Sequence, residues 1–568
     1  MTPEDAAAGL MRLGDEFFRI VHEADPFSAT QKGVTGFDAL VPDPSRAGSA
    51  RTARLIAAIE HELAGIEPDL LDEAGRTDHA VLAHLARSAH SDLEHSLWEA
   101  NASAGGYVSP SAMAFMSVPT ALITDQGSAD AYLSRLMHLG GFFDAITQRF
   151  AEARAEGRIS ARIGVRQSID QLAGHLTKDL AADSMVTVPV SGPVDEAAFR
   201  AEAARLVAEI VRPSAGRLLT YLESEQLPVA RSDEQVGISH VPGGAEGYLA
   251  AVRRHTTTDL SPEEIHQLGL DILADLRAEW AALGSAVFGI SGFEQIARRL
   301  REDPALRFGS SGEIVGVVTD ALRRAEDARG DWFPAYDIPE CVIEEIDPVE
   351  AGNSALAYYR PPAAGGLRPG AHCVLTADPG ARFTYEYEAL AFHESTPGHH
   401  LQIASNQTLA LPAYRRFLDA EVCGYVEGWG LYCERLADEM GLYTSDLMRL
   451  GMLSFDALRA CRLVVDTGMH YLGWSRARAI EFMWASTATT RANVVNEIDR
   501  YIAWPGQALA YMTGRREIQR LRAYAETALG PAFDLRSFHG VVLGNGAVPL
   551  AVLDRLVRNW VTSVSSSA

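Results

Sequence analysis

The chain has 568 residues, 47% of them apolar and 22% charged, an ordinary balance for a globular protein long enough to bury several cores. A formal net charge of -25, with no Lys/Arg-rich run to interrupt it, repels phosphate backbones and excludes nucleic acid as an expected partner. Five scattered cysteines without a CxxC pair exclude a disulfide framework or a thiolate zinc knuckle. No apolar run approaches the ~20 residues of a membrane span, and the opening MTPEDAAAGLMRLGDEFF has no signal-peptide core. The expectation is a soluble, cytoplasmic protein with no membrane partner.

Taken in chain order, helical periodicity dominates. Residues 51–66, 78–99, 129–156, 195–222, 262–284 and 313–329 carry apolar side chains three and four apart with charges between them. Ser261-Pro262-Glu263-Glu264 supplies a cap, a proline at the first helical position and acids in the first turn; Asp195-Glu196 is a weaker start. Between about 331 and 385 proline, glycine and aromatic residues become dense. Short β-type runs at Cys341–Ile343, Ala355–Tyr359 and Ala371–Thr376 predict one small sheet. Helical patterning then resumes almost to the end. The predicted class is mainly α, a two-lobed helical body with one small sheet before the motif helix. Residues 1–330 are expected to form a mostly helical N-terminal lobe and 331–568 a second lobe with the small sheet, around a groove that rests on fold analogy.

The chemistry concentrates in His393-Glu394-Ser395-Thr396-Pro397-Gly398-His399-His400. In metal-dependent hydrolases two histidines four apart on a helix bind the ion, and a glutamate beside the first takes a proton from the attacking water. Here proline stands at 397, and the next histidines come six and seven positions after His393. On a straight helix seven residues span about 10 Å, too far to share one ion at ~2 Å. Pro397-Gly398 supplies a break, so the expectation is an HExxH motif with a two-residue insertion that bulges the helix. That insertion makes His399 the ligand and leaves His400 behind the ligands or facing substrate; the reverse assignment stays open. Downstream, Glu427 in Glu427-Gly428-Trp429-Gly430 is the expected third ligand. Glu434, two turns on, is expected to orient a histidine. Glu421 is the alternative third ligand.

The strings HESTPGHHLQ and EGWGLYCE together resemble the DUF885 family of bacterial proteins, grouped with gluzincin-like (MA clan) metallopeptidases. The segments DPFSATQKGVTGFDAL, AYYRPPAAGGLRPGAHCVLTAD, RLVVDTGMHYLGWSRARAIEFM and YIAWPGQALAYMTGR extend the resemblance over most of the chain. It implies a zinc peptidase fold without defining a substrate.

Attack on a peptide carbonyl builds negative charge on oxygen and needs a donor. Tyr511 and Arg515, four apart after Pro505-Gly506-Gln507, are candidates for a phenol and a cation on one helix face. His470, with Asp466 one turn back, is a third candidate. The strand Ala371–Thr376 is a candidate open edge for an extended peptide. Each has a plainer reading: Tyr511 and Arg515 as packing with an ion pair, and His470 and His372 as satisfied core histidines. Cys423 and Cys433 read as small core residues. The sequence thus points to a zinc-dependent hydrolase of oligopeptides or small peptide-like amides, with Glu394 as base and His393, His399 or His400, and Glu427 as ligands. The alternative is a helical metal- or ligand-binding protein without catalysis. A di-metal carboxylate oxidase is weaker still, since no ligand motif repeats.

Overall fold

The start signals in the sequence work as local chemistry. Ser261 Oγ accepts from the Glu264 N–H at 3.2 Å, and the Glu264 carboxylate accepts from the Ser261 N–H at 2.8 Å, a reciprocal cap on the Pro262–Phe288 helix. Asp195 likewise accepts from the Ala198 N–H and opens the Glu196–Leu206 helix. A computed structural model describes residues 1–105, 107–346, 355–366 and 368–567. Helices dominate it, as the periodicity predicts. The segments expected at 51–66, 78–99, 129–156 and 313–329 appear as Arg46–Ala64, Glu73–His95, Gln126–Ala155 and Ser311–Trp332. The 195–222 segment is one helical run that widens into a π-type turn at Val207–Val211 before Arg212–Tyr221.

Three large apolar cores result. One joins Ile265 and Trp280 to Leu453, Val464 and Met483; a second joins Leu13 and Leu82 to Trp429, Leu521 and Val557. Both draw side chains from either side of residue 330, so the cores do not follow the two-lobe division read from the sequence. The third, around Tyr132, Phe143 and Leu218, belongs to the first 230 residues alone.

The small sheet contains β1 (Val342–Glu345), β2 (Ala357–Arg360) and β3 (Ala371–Val374) in the order β1-β3-β2, with β3 parallel to β1 and antiparallel to β2. The expected open edge at Ala371–Thr376 is therefore corrected: β3 is the middle strand, and both of its backbone edges are paired. Its residues Ala371, His372, Cys373 and Val374 are all buried, as a strand covered on both faces must be. Residues 347–354, and Leu367 in the Pro/Gly-rich stretch, lie outside the described residues.

After the sheet come the helices that carry the site: Tyr387–Glu394, His399–Thr408, Cys423–Glu439, Asp446–His470 and Ala510–Leu529. The Cys423–Glu439 and Ala510–Leu529 helices cross backbone against backbone. A Cβ on Gly514 would lie 1.8 Å from the Gly424 carbonyl oxygen, and one on Gly428 would lie 2.5 Å from the Gly514 carbonyl carbon. Only glycine permits that approach, and it sets Tyr511 against the helix that bears Glu427.

Candidate metal centre

The HExxPGHH stretch is two helices with a gap. The first ends at Glu394, the second starts at His399, and Ser395 and Gly398 between them have non-helical backbone (ψ -133° and -127°). The expected bulge within one helix is thus a full interruption, because Pro397 lacks the N–H that would continue the ladder. Helix Cys423–Glu439 holds the interruption in place. Trp429 Nε1 donates to the Pro397 carbonyl at 3.0 Å, and the Cys433 thiol points at the same oxygen at 3.3 Å.

The break turns His399 back onto His393. Their ring centroids are 4.7 Å apart, nearly perpendicular at 84°. Glu427 Oε2 faces both, 3.7 Å from His393 Nε2 and 3.4 Å from His399 Nε2. Ligand atoms of His393, His399 and Glu427 all lie within 4.8 Å of one another. Two atoms bound tetrahedrally to one zinc at ~2.0–2.1 Å sit about 3.3–3.4 Å apart, so the His399–Glu427 separation already matches a shared ion. Glu427 Oε2 is a buried oxygen with no hydrogen-bond partner among the described residues, which is costly unless a cation or water completes it. On donor chemistry and on this orphaned oxygen, the three residues fit a zinc ion. Burial alone would push the His393 imidazolium down, but the facing carboxylates of Glu427 and Glu434 outweigh it and carry the group up to about 9.

Gly430 makes the close packing of the two imidazoles possible. A Cβ there would sit 2.9 Å from His393 Cε1 and 3.0 Å from His399 Cε1. Behind the pair, Glu434 Oε1 lies 2.8 Å from His393 Nδ1, the orienting contact expected from sequence. That contact fixes the proton on Nδ1 and leaves Nε2 free to ligate. Arg459 Nη2 stands 3.3 Å from the same Glu434 oxygen. Glu394 is 8% exposed. Burial raises its carboxyl pKa and Glu427 adds to the rise, against His393, His399 and Arg459, which lower it.

The remaining candidates divide. His400 is one residue too far: its Nε2 donates to the Pro339 carbonyl and its Nδ1 accepts from the Tyr359 hydroxyl, both at 2.9 Å. Both nitrogens are thus used in tying the second motif helix to β2 and to the segment before β1, and neither is free to act as a metal ligand. Glu421 pairs with Arg254 at 3.2 Å and lies outside the cluster. Tyr511 does reach the site. Its ring stacks toward His393 at 6.3 Å and 21°, with the Arg462 guanidinium 4.2 Å above it. Burial, then the Glu427 charge, pushes its phenol up to about 12, so it keeps the proton it would donate. Arg515 does not accompany it; its guanidinium is buried against Asp456, which also pairs with Arg435. His372 bonds the Ser395 hydroxyl at 3.0 Å inside the sheet, a structural place.

His470 is corrected likewise. Its Nδ1 accepts from the Ile238 N–H and its Nε2 donates to the Tyr501 carbonyl, both at 3.0 Å, and it is fully buried. Asp466 does not orient it; it accepts instead from the Tyr248 hydroxyl at 2.7 Å and the Gly506 N–H at 3.2 Å. Burial holds the Asp466 carboxyl up at about 7, against those two donors, which lower it. Unfolded, an aspartate releases its proton near about 3.9, so between that value and 7 the folded state binds more protons than the unfolded. The stability contributed at this position therefore falls as pH rises through that window and is level above it. Asp466→Asn keeps an acceptor for Tyr248 and removes the titration. Relative to wild type, the variant should gain on the order of 3 kcal/mol between pH 4.5 and pH 8 in chemical denaturation. An unchanged difference across that range would exclude this origin.

Sequence reasoning missed Arg459 and Arg462. Both lie in the helix Asp446–His470, buried from Leu450 onward. The available signal was two arginines three apart in an otherwise apolar run, since arginine is seldom buried without a task.

The family described as a bacterial protein of unknown function (DUF885) matches residues 26–557. Among solved structures, the fold is similar to that of a chain described as a "putative lipoprotein" from Colwellia psychrerythraea, with a TM-score of 0.89, 26% identity and 99% of each chain covered. It is also similar to a "putative lipoprotein of unknown function" from Shewanella oneidensis, with a TM-score of 0.72, 18% identity, and 97% of this chain and 99% of that one covered. No curated protein matches. With a match running from Pro26 into the C-terminal helix Leu550–Ser567, the chain belongs to the DUF885 family of bacterial proteins.

Proposed function

We propose that the protein is a gluzincin-like zinc peptidase that hydrolyses oligopeptide or small peptide-like amide bonds. The observation that carries this reading is the convergence of His393, His399 and Glu427 around one point, beside the buried Glu394 carboxylate. Two histidines and a glutamate are a donor set zinc uses in hydrolases, and three protein ligands leave a position for water. A zinc ion held by these residues would bring that water's pKa to about 7 and polarise the substrate carbonyl.

The chain's own residues supply the rest. Glu394, adjacent in sequence to one ligand and in no ion pair among the described residues, accepts the proton of the attacking water and returns it to the leaving amine. Tyr511 offers its O–H to the oxygen that becomes negative. Glu434 keeps His393 in one orientation and one tautomer. Among the described residues no helix is long and apolar enough to cross a membrane. A cytoplasmic location is part of the proposal, and fractionation of cells carrying the tagged protein tests it; recovery in the membrane fraction would overturn it.

The deciding experiment measures metal content and cleavage of a mixed peptide library together. About one zinc per chain, with cleavage lost on chelation and restored by zinc, is the expected result. Zinc retained with no cleavage of any peptide or amide would replace the peptidase reading with that of a metal-binding protein without catalysis.

A further inference from the structure

One aromatic residue is placed against its own segment's habit. Asn101, Ala102, Ser103, Ala104 and Ser109 are all buried, and the segment is fastened at both ends of its buried part. Asn101 Nδ2 donates to the Ile502 carbonyl at 3.1 Å, and Gln171 Nε2 donates to the Ala104 carbonyl at 2.9 Å. Yet Tyr107, within this segment, is 58% exposed. Its ring lies parallel to Trp504, 6.3 Å away at 16°, and Trp504 is braced edge-on by His255 at 5.9 Å. One face of Tyr107 is therefore backed, and its exposure belongs to the rest of the ring.

The stacked pair connects to the metal centre through one short run of chain, in which the Gln507 N–H donates to the Trp504 carbonyl at 3.4 Å. Three residues after Trp504, Gln507 donates to the Tyr511 hydroxyl at 3.4 Å, and Tyr511 stacks toward His393. Desolvation pushes the Tyr107 phenol up to about 12. The charges of Cys373, Glu394 and Glu427 add to the rise. Two of those charges, Glu394 and Glu427, belong to the centre. Trp504 belongs to the YIAWPGQ segment, which the hydrolytic chemistry does not otherwise use.

We propose that Tyr107, backed by Trp504, forms the subsite that receives an aromatic or large apolar side chain of the peptide held at the His393–His399–Glu427 centre. The proposal rests on the peptidase reading above. Flat aromatic surface with one rigid backing favours stacking and apolar contact.

The test compares binding of Ala-Phe-Ala and Ala-Ala-Ala by calorimetry, using zinc-loaded Glu394→Gln so that nothing is turned over. An apolar subsite of this kind discriminates by roughly 10–200-fold. The expected preference for the phenylalanine peptide is at least ~10-fold, falling below about three-fold when Tyr107→Ala is added and persisting with Tyr107→Phe. Thermal unfolding of Tyr107→Ala should match the parent, since the ring is exposed. No preference in the parent, or one that survives Tyr107→Ala, overturns the subsite. Parallel hydrolysis assays on the same peptides with active protein separate the two readings. A Tyr107-dependent preference without any hydrolysis leaves the subsite standing and removes the peptidase. Hydrolysis whose discrimination ignores Tyr107 does the reverse.

Discussion

Glu394→Gln is expected to leave zinc content unchanged while lowering turnover of any cleaved peptide by roughly 10²–10⁴-fold, the range a positioned general base contributes. The geometry makes the two effects separable. Glu394 is the last residue of its helix and is not one of the three converging side chains. Glutamine has the same length and shape, so the packing around it changes little. What it lacks is a basic oxygen, and neither His393, committed to Glu434, nor Glu427, facing two imidazoles, is free to take a proton in its stead. Metal analysis and kcat on one peptide check this. Loss of metal would mean that Glu394 holds the site together, and turnover within ten-fold of wild type would assign the base elsewhere.

Much of this site is legible in sequence because helices turn spacing into direction. Glu427 and Glu434, seven apart, lie on one face of one helix, and both meet His393, one at each ring nitrogen. The two glycines of Glu427-Gly428-Trp429-Gly430 also have separate duties. Gly428 admits the crossing helix and Gly430 admits the imidazoles. Legibility fails where a side chain's partner comes from a distant segment. His470 and Asp466 have the spacing of an orienting pair, but Ile238, Tyr501, Tyr248 and Gly506 claim them separately. Arg515 is one turn after Tyr511, yet buried Asp456 draws it away. The middle position of β3 follows from strand order, which local pattern does not encode. Tyr107 carries no local signal at all, since its meaning depends on Trp504, nearly four hundred residues later.

The choice between adjacent histidines is the sharpest case of a partner set by long-range packing, and it yields an asymmetric pair of outcomes. His399→Ala removes one of three converging ligands and should abolish stoichiometric zinc binding at micromolar metal, with hydrolysis lost alongside. The rest of the fold has little reason to suffer, because His399 Nδ1 has no hydrogen-bond partner to forfeit. His400→Ala should do the opposite. It strips the Tyr359 hydroxyl and the Pro339 carbonyl of their partner in a site only 1% exposed. Each orphaned buried group costs about 1–3 kcal/mol, and the lost ring adds a cavity. A stability loss of about 3 kcal/mol or more with one zinc still bound is therefore expected, read from denaturant midpoints and metal analysis of the same samples. Zinc lost from His400→Ala but kept by His399→Ala would mean that the interruption at Pro397-Gly398 turns the other imidazole inward.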